Sequence, residues 1–367
     1  MAKKKGSGQG SIFKTANGKW RGQILIDGKR RSFTAKTKSE VAEKMAAAKV
    51  DYVRGVFVSS EDINFKEFAT MWLRTVKEPM LAENTFYTLF HTFRLHIFPV
   101  LGELSLNQIQ REDIKALAKY IASKNLSISF ARACISRVKE LLNYAIREQL
   151  LSYNVVSNTD ISHILAKCKP KKTISSYDID TTKKILNYAR KNKKYAIYYL
   201  LLQTGMRIGE ASALTWNDID FKNKTIKIDK ILVYIHNRGL SLEDRTKTKS
   251  GQRIISITDS LCEFLKELKV KSNSNKVFAN SKNNYDSPMN YRKKWIRLCA
   301  ELNIEYKNIH ALRHTWATLT ISTGANIKVV SQMLGHKDVA ITMNTYQTVL
   351  KEHQEDVTIR MEELLFG

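Results

Sequence analysis

Apolar residues recur at helical spacing along much of this chain, and that rhythm leaves few folds open to it. Between Asp62 and Asn158, Phe65, Phe68, Trp72 and Val76 repeat every three or four positions, as do Phe86, Leu89, Phe93 and Ile97. Ile114, Leu117 and Ile121 mark a third stripe, and Ile135, Val138, Leu142 and Ala145 a fourth. A stripe of that period must face a core. Pro99 and Gly102 break the second run. Residues 62–158 therefore read as an all-helical module whose stripes are core rather than a ligand pocket.

The modules on either side read differently. In residues 1–56, Asn17-Gly18 and Asp27-Gly28 each separate short strand-like runs, the pattern of two-residue hairpin turns. The runs Ser11–Thr15, Lys19–Ile26 and Lys29–Thr34 predict a three-stranded meander. Thr37-Lys38-Ser39-Glu40 then predicts a capped helix with Val41, Met45 and Ala48 on its apolar face. Residues 159–176 form a linker, because Ser162–Ser176 carries Lys167, Lys169, Lys171, Lys172 and Pro170. The third module, 177–367, opens with helices around Lys183–Lys191 and Lys194–Thr204. Short strands at Thr225–Ile228, Lys230–Tyr234 and Arg253–Ile257 follow. Further helices are expected near Ser260–Leu268, Asn290–Leu302, Leu312–Ser322 and Ile327–Leu334, with a tail stripe of Val357, Met361, Leu364 and Leu365. The fold class is mainly α with small β-sheets (α+β).

Charge narrows the partners. The chain's 61 Lys+Arg against 35 Asp+Glu give a net +26 over 367 residues. Such an excess attracts polyanions, nucleic acid first and an anionic membrane surface second. Residues 1–56 alone hold 14 Lys+Arg and 4 Asp+Glu, a net +10, and a small basic sheet backed by a helix can place side chains in a DNA groove. Arg132, Arg137, Lys139 and Arg147 lie mostly off the fourth apolar stripe and face either DNA or solvent. No apolar run approaches the ~18–20 residues that span a bilayer. Met1–Lys5 is basic, but Gly6–Gly10 follow where a signal peptide would turn apolar. The expectation is a cytoplasmic protein. Cys134, Cys168, Cys262 and Cys299 form no CxxC pair and read as reduced structural thiols.

The chemistry-bearing residues fall late in the chain. Thr204-Gly205-Met206-Arg207-Ile208-Gly209-Glu210 joins one helix to another, with Arg207 at the start of the second. His310 and Arg313 share a helix face. His310 and His314 also have a zinc-ligand spacing, but Ala311 stands where a metalloprotease needs Glu, so no metal is expected. Leu334-Gly335-His336 ends an amphipathic helix, and Tyr346 follows. Two guanidinium forks bind phosphate oxygens bidentately and stay charged. A phenol, with a pKa of about 10, needs help to lose its proton, and a histidine can supply it. The phenolate can then form a covalent phosphoenzyme. Such a bond conserves the phosphodiester energy, and the sequence has no GxxxxGK[ST] loop for a nucleotide.

In this order and spacing the residues resemble the tyrosine recombinases of the phage and conjugative-transposon integrase kind. The family's first arginine box resembles Thr204–Leu214. Its His-x-x-Arg box matches His310–Arg313, with His314-Thr315 fitting beyond it, and its Leu-Gly-His box matches Leu334–His336. The resemblance implies Tyr346 as nucleophile in two transesterifications through a 3′-phosphotyrosyl link. It implies Arg207 and Arg313 on the phosphate, His310 assisting the Tyr346 proton, and His336 donating to a phosphate oxygen. Glu210 orients the site. A hairpin lysine protonates the leaving 5′ oxygen: Lys247 best matches the pattern in Thr246–Arg253, Lys249 is its rival, and Ser250-Gly251 reads as the turn. Also implied are an arm-binding domain at 1–56, a core-binding domain at 62–158, and a homotetramer on double-stranded DNA at core and arm sites. Accessory DNA-bending or directionality factors fit that scheme, and no cofactor does. A type IB topoisomerase and a decayed, non-cleaving regulator are the rival readings. The basic first module argues against the former, and the filled catalytic positions against the latter.

Overall fold

The computed structural model describes residues 10–26, 29–53, 63–170, 176–244, 252–346 and 361–366. The chain divides into two compact units, 1–171 and 172–367.

In the first unit, β1 (Ser11–Lys14), β2 (Trp20–Ile26) and β3 (Lys29–Ala35) form an antiparallel meander. The first turn is longer than the Asn17-Gly18 dipeptide suggests. Thr15 pairs with Lys19, and Gly18 alone takes a positive φ, of 76°. This is the three-residue loop that closes on a left-handed glycine. Between β2 and β3 the register runs to Ile26 opposite Lys29; Asp27-Gly28 lie outside the described residues. Helix α1 (Lys38–Val53) starts where Thr37 Oγ1 accepts from the Glu40 N–H, and it buries Val41, Met45 and Ala48 against Ile24.

The helical stripes become one core. Helix α2 (Phe65–Trp72), capped by Asn64, runs through a wider π-helical turn at Leu73–Lys77. Helix α3 (Glu83–Thr92) does the same at Phe93–Ile97 and passes directly into α4 (Phe98–Leu101). Pro99 therefore does not break the helical path. It stands in the first turn of α4, where its missing N–H costs nothing. Helices α5 (Arg111–Ser123) and α6 (Ile128–Arg147) supply Ile114, Leu117, Ile121, Val138 and Leu142 to the same core. One expectation fails here. The stretch from Ser162 is not an exposed connection throughout, because α7 (Ser162–Leu165) buries Ile164 and Leu165, and Cys168 follows them into the core. The lysines hid this short apolar run in the sequence. Residues 171–175 lie outside the described residues.

In the second unit, α8 (Ile179–Lys191), capped by Asp178, packs beside α9 (Ala196–Thr204), which is buried nearly all round. Then come α10 (Ile208–Ala213), β4 (Ile219–Asp220), β5 (Thr225–Ile228), β6 (Lys230–Ile235), β7 (Gly239–Asp244) and β8 (Arg253–Ser256). Strand β7 was not foreseen, and it changes the hairpin. Strand β6 pairs with β7, whereas β8 returns to pair with β5 in the order β4-β5-β8. Lys247, Lys249 and the Ser250-Gly251 turn lie outside the described residues. Helices α11 (Asp259–Val270), α12 (Pro288–Glu301), α13 (His310–Ser322), α14 (Ile327–Leu334) and α15 (Val339–Thr345) complete the unit. A helical turn at 361–366 exposes Met361, Leu364, Leu365 and Phe366; Val357 lies outside the described residues. No described helix is long and apolar enough to cross a membrane.

Candidate active site

Two helix ends build the site. Helix α9 stops at Gly205, whose φ is 63°; a Cβ there would come within 2.4 Å of the Trp316 ring, so only glycine fits. The chain then turns extended at Arg207, which caps α10. Glu210, three residues on, accepts from the Arg207 backbone N–H at 2.8 Å and from its Nη1 at 3.1 Å. Helix α14 likewise ends at a left-handed glycine, Gly335. Its last carbonyls, unpaired within the helix, are available to outside donors.

Arg313 uses both ends. Its Nη1 donates to the Gly205 carbonyl at 2.8 Å and its Nη2 to the Leu334 carbonyl at 2.6 Å. The Leu334 oxygen also accepts from Arg207 Nη1 at 3.3 Å. The two guanidiniums thus converge on one point from two helices. Arg313 is only 2% exposed. Burial, then repulsion from Arg207, brings its pKa down to about 9, still above neutral pH, so it stays charged. Arg207 keeps about a third of its side chain exposed.

Tyr346 closes the other side. It caps α15 and packs among Trp316, Ile321, Val330 and Leu334, 4% exposed. Its phenol oxygen lies 2.9 Å from His314 Nδ1. The expected partner was His310, but that ring stands edge-on to His314, at 4.6 Å between centroids, one helical turn away. Burial pushes the Tyr346 pKa up to about 12, and Arg313 opposes the rise. His336 Nδ1 lies 2.7 Å from Thr342 Oγ1, which ties the Leu-Gly-His turn to α15.

Arg207, His310, Arg313, His336 and Tyr346 thus share one site, with Glu210 beneath it. Lys247 and Lys249 fall in the segment that is not described. Two groups went unassigned in the sequence. His314 was noted for its spacing of four from His310 and for fitting the family pattern, but was given no role toward Tyr346. Arg253 gave no sign, because its partner Glu210 is distant in sequence. Among the described residues, no group of three or more His, Cys, Asp or Glu is placed to hold a metal ion.

Burial pushes His314 and His336 from the ordinary 6.5 down to about 4, helped by His310 and Arg313 in the first case and by Arg313 and Arg207 in the second. Both rings are therefore neutral in the fold at neutral pH. The unfolded chain takes up these protons first, so their contribution to stability is complete above pH 6.5 and is lost as pH falls toward 4. Melting temperatures across that window should fall more steeply for the native chain than for His336→Gln. Parallel curves would contradict the shift.

Known proteins resemble this chain in sequence and in fold. Residues 175–353 match the phage integrase family, and residues 64–121 match the phage integrase N-terminal SAM-like domain. A XerC-like tyrosine recombinase of Caldanaerobacter subterraneus subsp. tengcongensis is 24% identical over 91% of this chain and 92% of its own. The Tn1549 transposon integrase, solved in complex with transposon right end DNA, superposes with a TM-score of 0.70 at 20% identity, covering 81% of this chain and all of that one. A lambda integrase tetramer bound to a Holliday junction gives 0.59 at 16% identity, over 93% and 96% of the two chains. The chain belongs to the phage integrase family, the tyrosine recombinases that break and rejoin DNA.

Proposed function

We propose that this chain is the site-specific recombinase of a mobile element, cutting duplex DNA through Tyr346. The observation that carries the reading is the convergence of Arg207 and Arg313 on one oxygen, with a phenol buried beside them. Fixed cations aimed at developing charge contribute roughly 3–4 kcal/mol each to such a step.

The Tyr346 oxygen attacks the scissile phosphorus and the bond to the 5′ oxygen breaks, leaving a 3′-phosphotyrosyl link and a 5′-hydroxyl protonated by Lys247. A 5′-hydroxyl from a second duplex then attacks that link and releases the phenol. Arg207 and Arg313 hold the non-bridging oxygens, and His336 donates to one of them. His314 keeps the phenol in its DNA-free position. His310, on the same helix face, takes the phenolic proton when the substrate is bound.

The remaining parts fit this scheme. Residues 1–56 bind arm sites with their basic sheet, 62–158 bind the core site, and 177–367 are catalytic. The working assembly is a homotetramer, in which the exposed stripe of Met361, Leu364 and Leu365 docks on a neighbouring protomer. An accessory DNA-bending or directionality factor sets the direction of exchange.

The DNA flanking the gene should carry a short direct repeat at both ends of an element, and oligonucleotides from those ends supply the substrate. A nicked version should trap a covalent adduct, and digestion should map the 3′ nucleotide to the Tyr346 peptide. An adduct on another residue, or none, would sink the reading. Relaxation of a plasmid lacking any paired site would instead favour a topoisomerase.

A further inference from the structure

Arg253 is buried, and no step above uses it. Its Nε donates to the Met333 carbonyl at 2.6 Å. Its terminal nitrogens donate in parallel to Glu210 Oε1 at 3.2 Å and Oε2 at 2.9 Å. Glu210 is the carboxylate that caps α10 beneath Arg207, and Met333 precedes the carbonyl on which Arg207 and Arg313 converge. One guanidinium therefore grips both supports of the reactive pair. The turn is shaped to admit it, since a Cβ on Gly335 would lie 2.9 Å from Arg253 Nη1.

The charges point the same way. Arg253 and Arg207 both pair with Glu210, so the carboxylate is shared between two guanidiniums rather than held against Arg207, while Arg313 bonds to the Gly205 and Leu334 carbonyls.

We propose that Arg253 is a positioning residue for recombination. It fixes Glu210 and the last turn of α14 so that Arg207 and Arg313 meet the scissile phosphate as a pair. The proposal rests on the roles given above to Arg207, Arg313 and Tyr346.

Arg253→Lys keeps the charge but cannot hold both Glu210 oxygens and the Met333 carbonyl at once. Single-turnover formation of the Tyr346–DNA adduct, at saturating protein, should be measured for the native chain, R253K, E210Q and the double variant, along with core-site Kd and melting temperature. R253K and E210Q should each slow the rate constant by about 10- to 100-fold and leave Kd within about threefold, since loosened geometry costs rate rather than binding. The double variant should fall no more than about threefold below the slower single one, because both break a single linkage. If R253K does not fold, R253Q takes its place, retaining a donor toward Met333 without the charge. An unchanged rate in R253K, a loss confined to Kd, or losses that multiply in the double variant would each overturn the proposal. Absence of adduct in the native chain would overturn it together with the role of Tyr346. A native adduct with an unaffected R253K would overturn it alone.

Discussion

Replacing Tyr346 by Phe is expected to abolish covalent capture of DNA while leaving the fold and core-site binding in place. The ring stays among Trp316, Ile321 and Val330, so the packing survives. Only the hydroxyl and its 2.9 Å contact with His314 are lost, which should cost about 0.5–1.5 kcal/mol of stability. The chemical loss is total, because no other atom of that side chain can attack phosphorus. A nicked suicide substrate followed by a denaturing gel measures it directly. A protein–DNA adduct from the Phe variant would remove Tyr346 from the mechanism.

Lys247→Ala is expected to slow cleavage by about 10²–10⁴-fold, the usual worth of a positioned general acid. The 5′ alkoxide is a poor leaving group, and the arginines stabilise the phosphate rather than that oxygen. A substrate with sulfur at the 5′ bridging position leaves as a thiolate and needs no proton. It should restore most of the rate to Lys247→Ala and none to Tyr346→Phe. If Lys249→Ala is rescued and Lys247→Ala is not, the acid lies two residues further along the chain.

The features legible in the sequence were those written in local period or local order. Phe65, Phe68 and Trp72, or Ile114, Leu117 and Ile121, declare a core because neighbours on one helix face lie three or four residues apart. Arg207, His310, Arg313, His336 and Tyr346 could be found because each stands in a short box. Strand β7 was missed because Ser241, Glu243 and Asp244 make it polar, and its strand character comes from pairing with β6 rather than from its own residues. The path through Pro99 was hidden because the wide turn at Phe93–Ile97 shifts the phase of the helix before the proline arrives. The Glu210–Arg253 contact was illegible for a deeper reason. It joins α10 to β8, and a single sequence carries no mark of which distant charges will meet.

The buried phenol also has a kinetic consequence. Tyr346 is only 4% exposed, so with Tyr346 as the proposed nucleophile the observed cutting rate is the intrinsic rate multiplied by the fraction of time the side chain is released. If release occupied about one part in a hundred, cleavage would run about a hundredfold below its intrinsic speed. Anything that favours the released form could then raise the rate toward that ceiling without contributing a single catalytic group. Stray phosphodiesters passing an unassembled protein would meet two poised arginines and no nucleophile. The cell's own DNA would be spared by the rarity of a side-chain movement, with no need for a separate inhibitor.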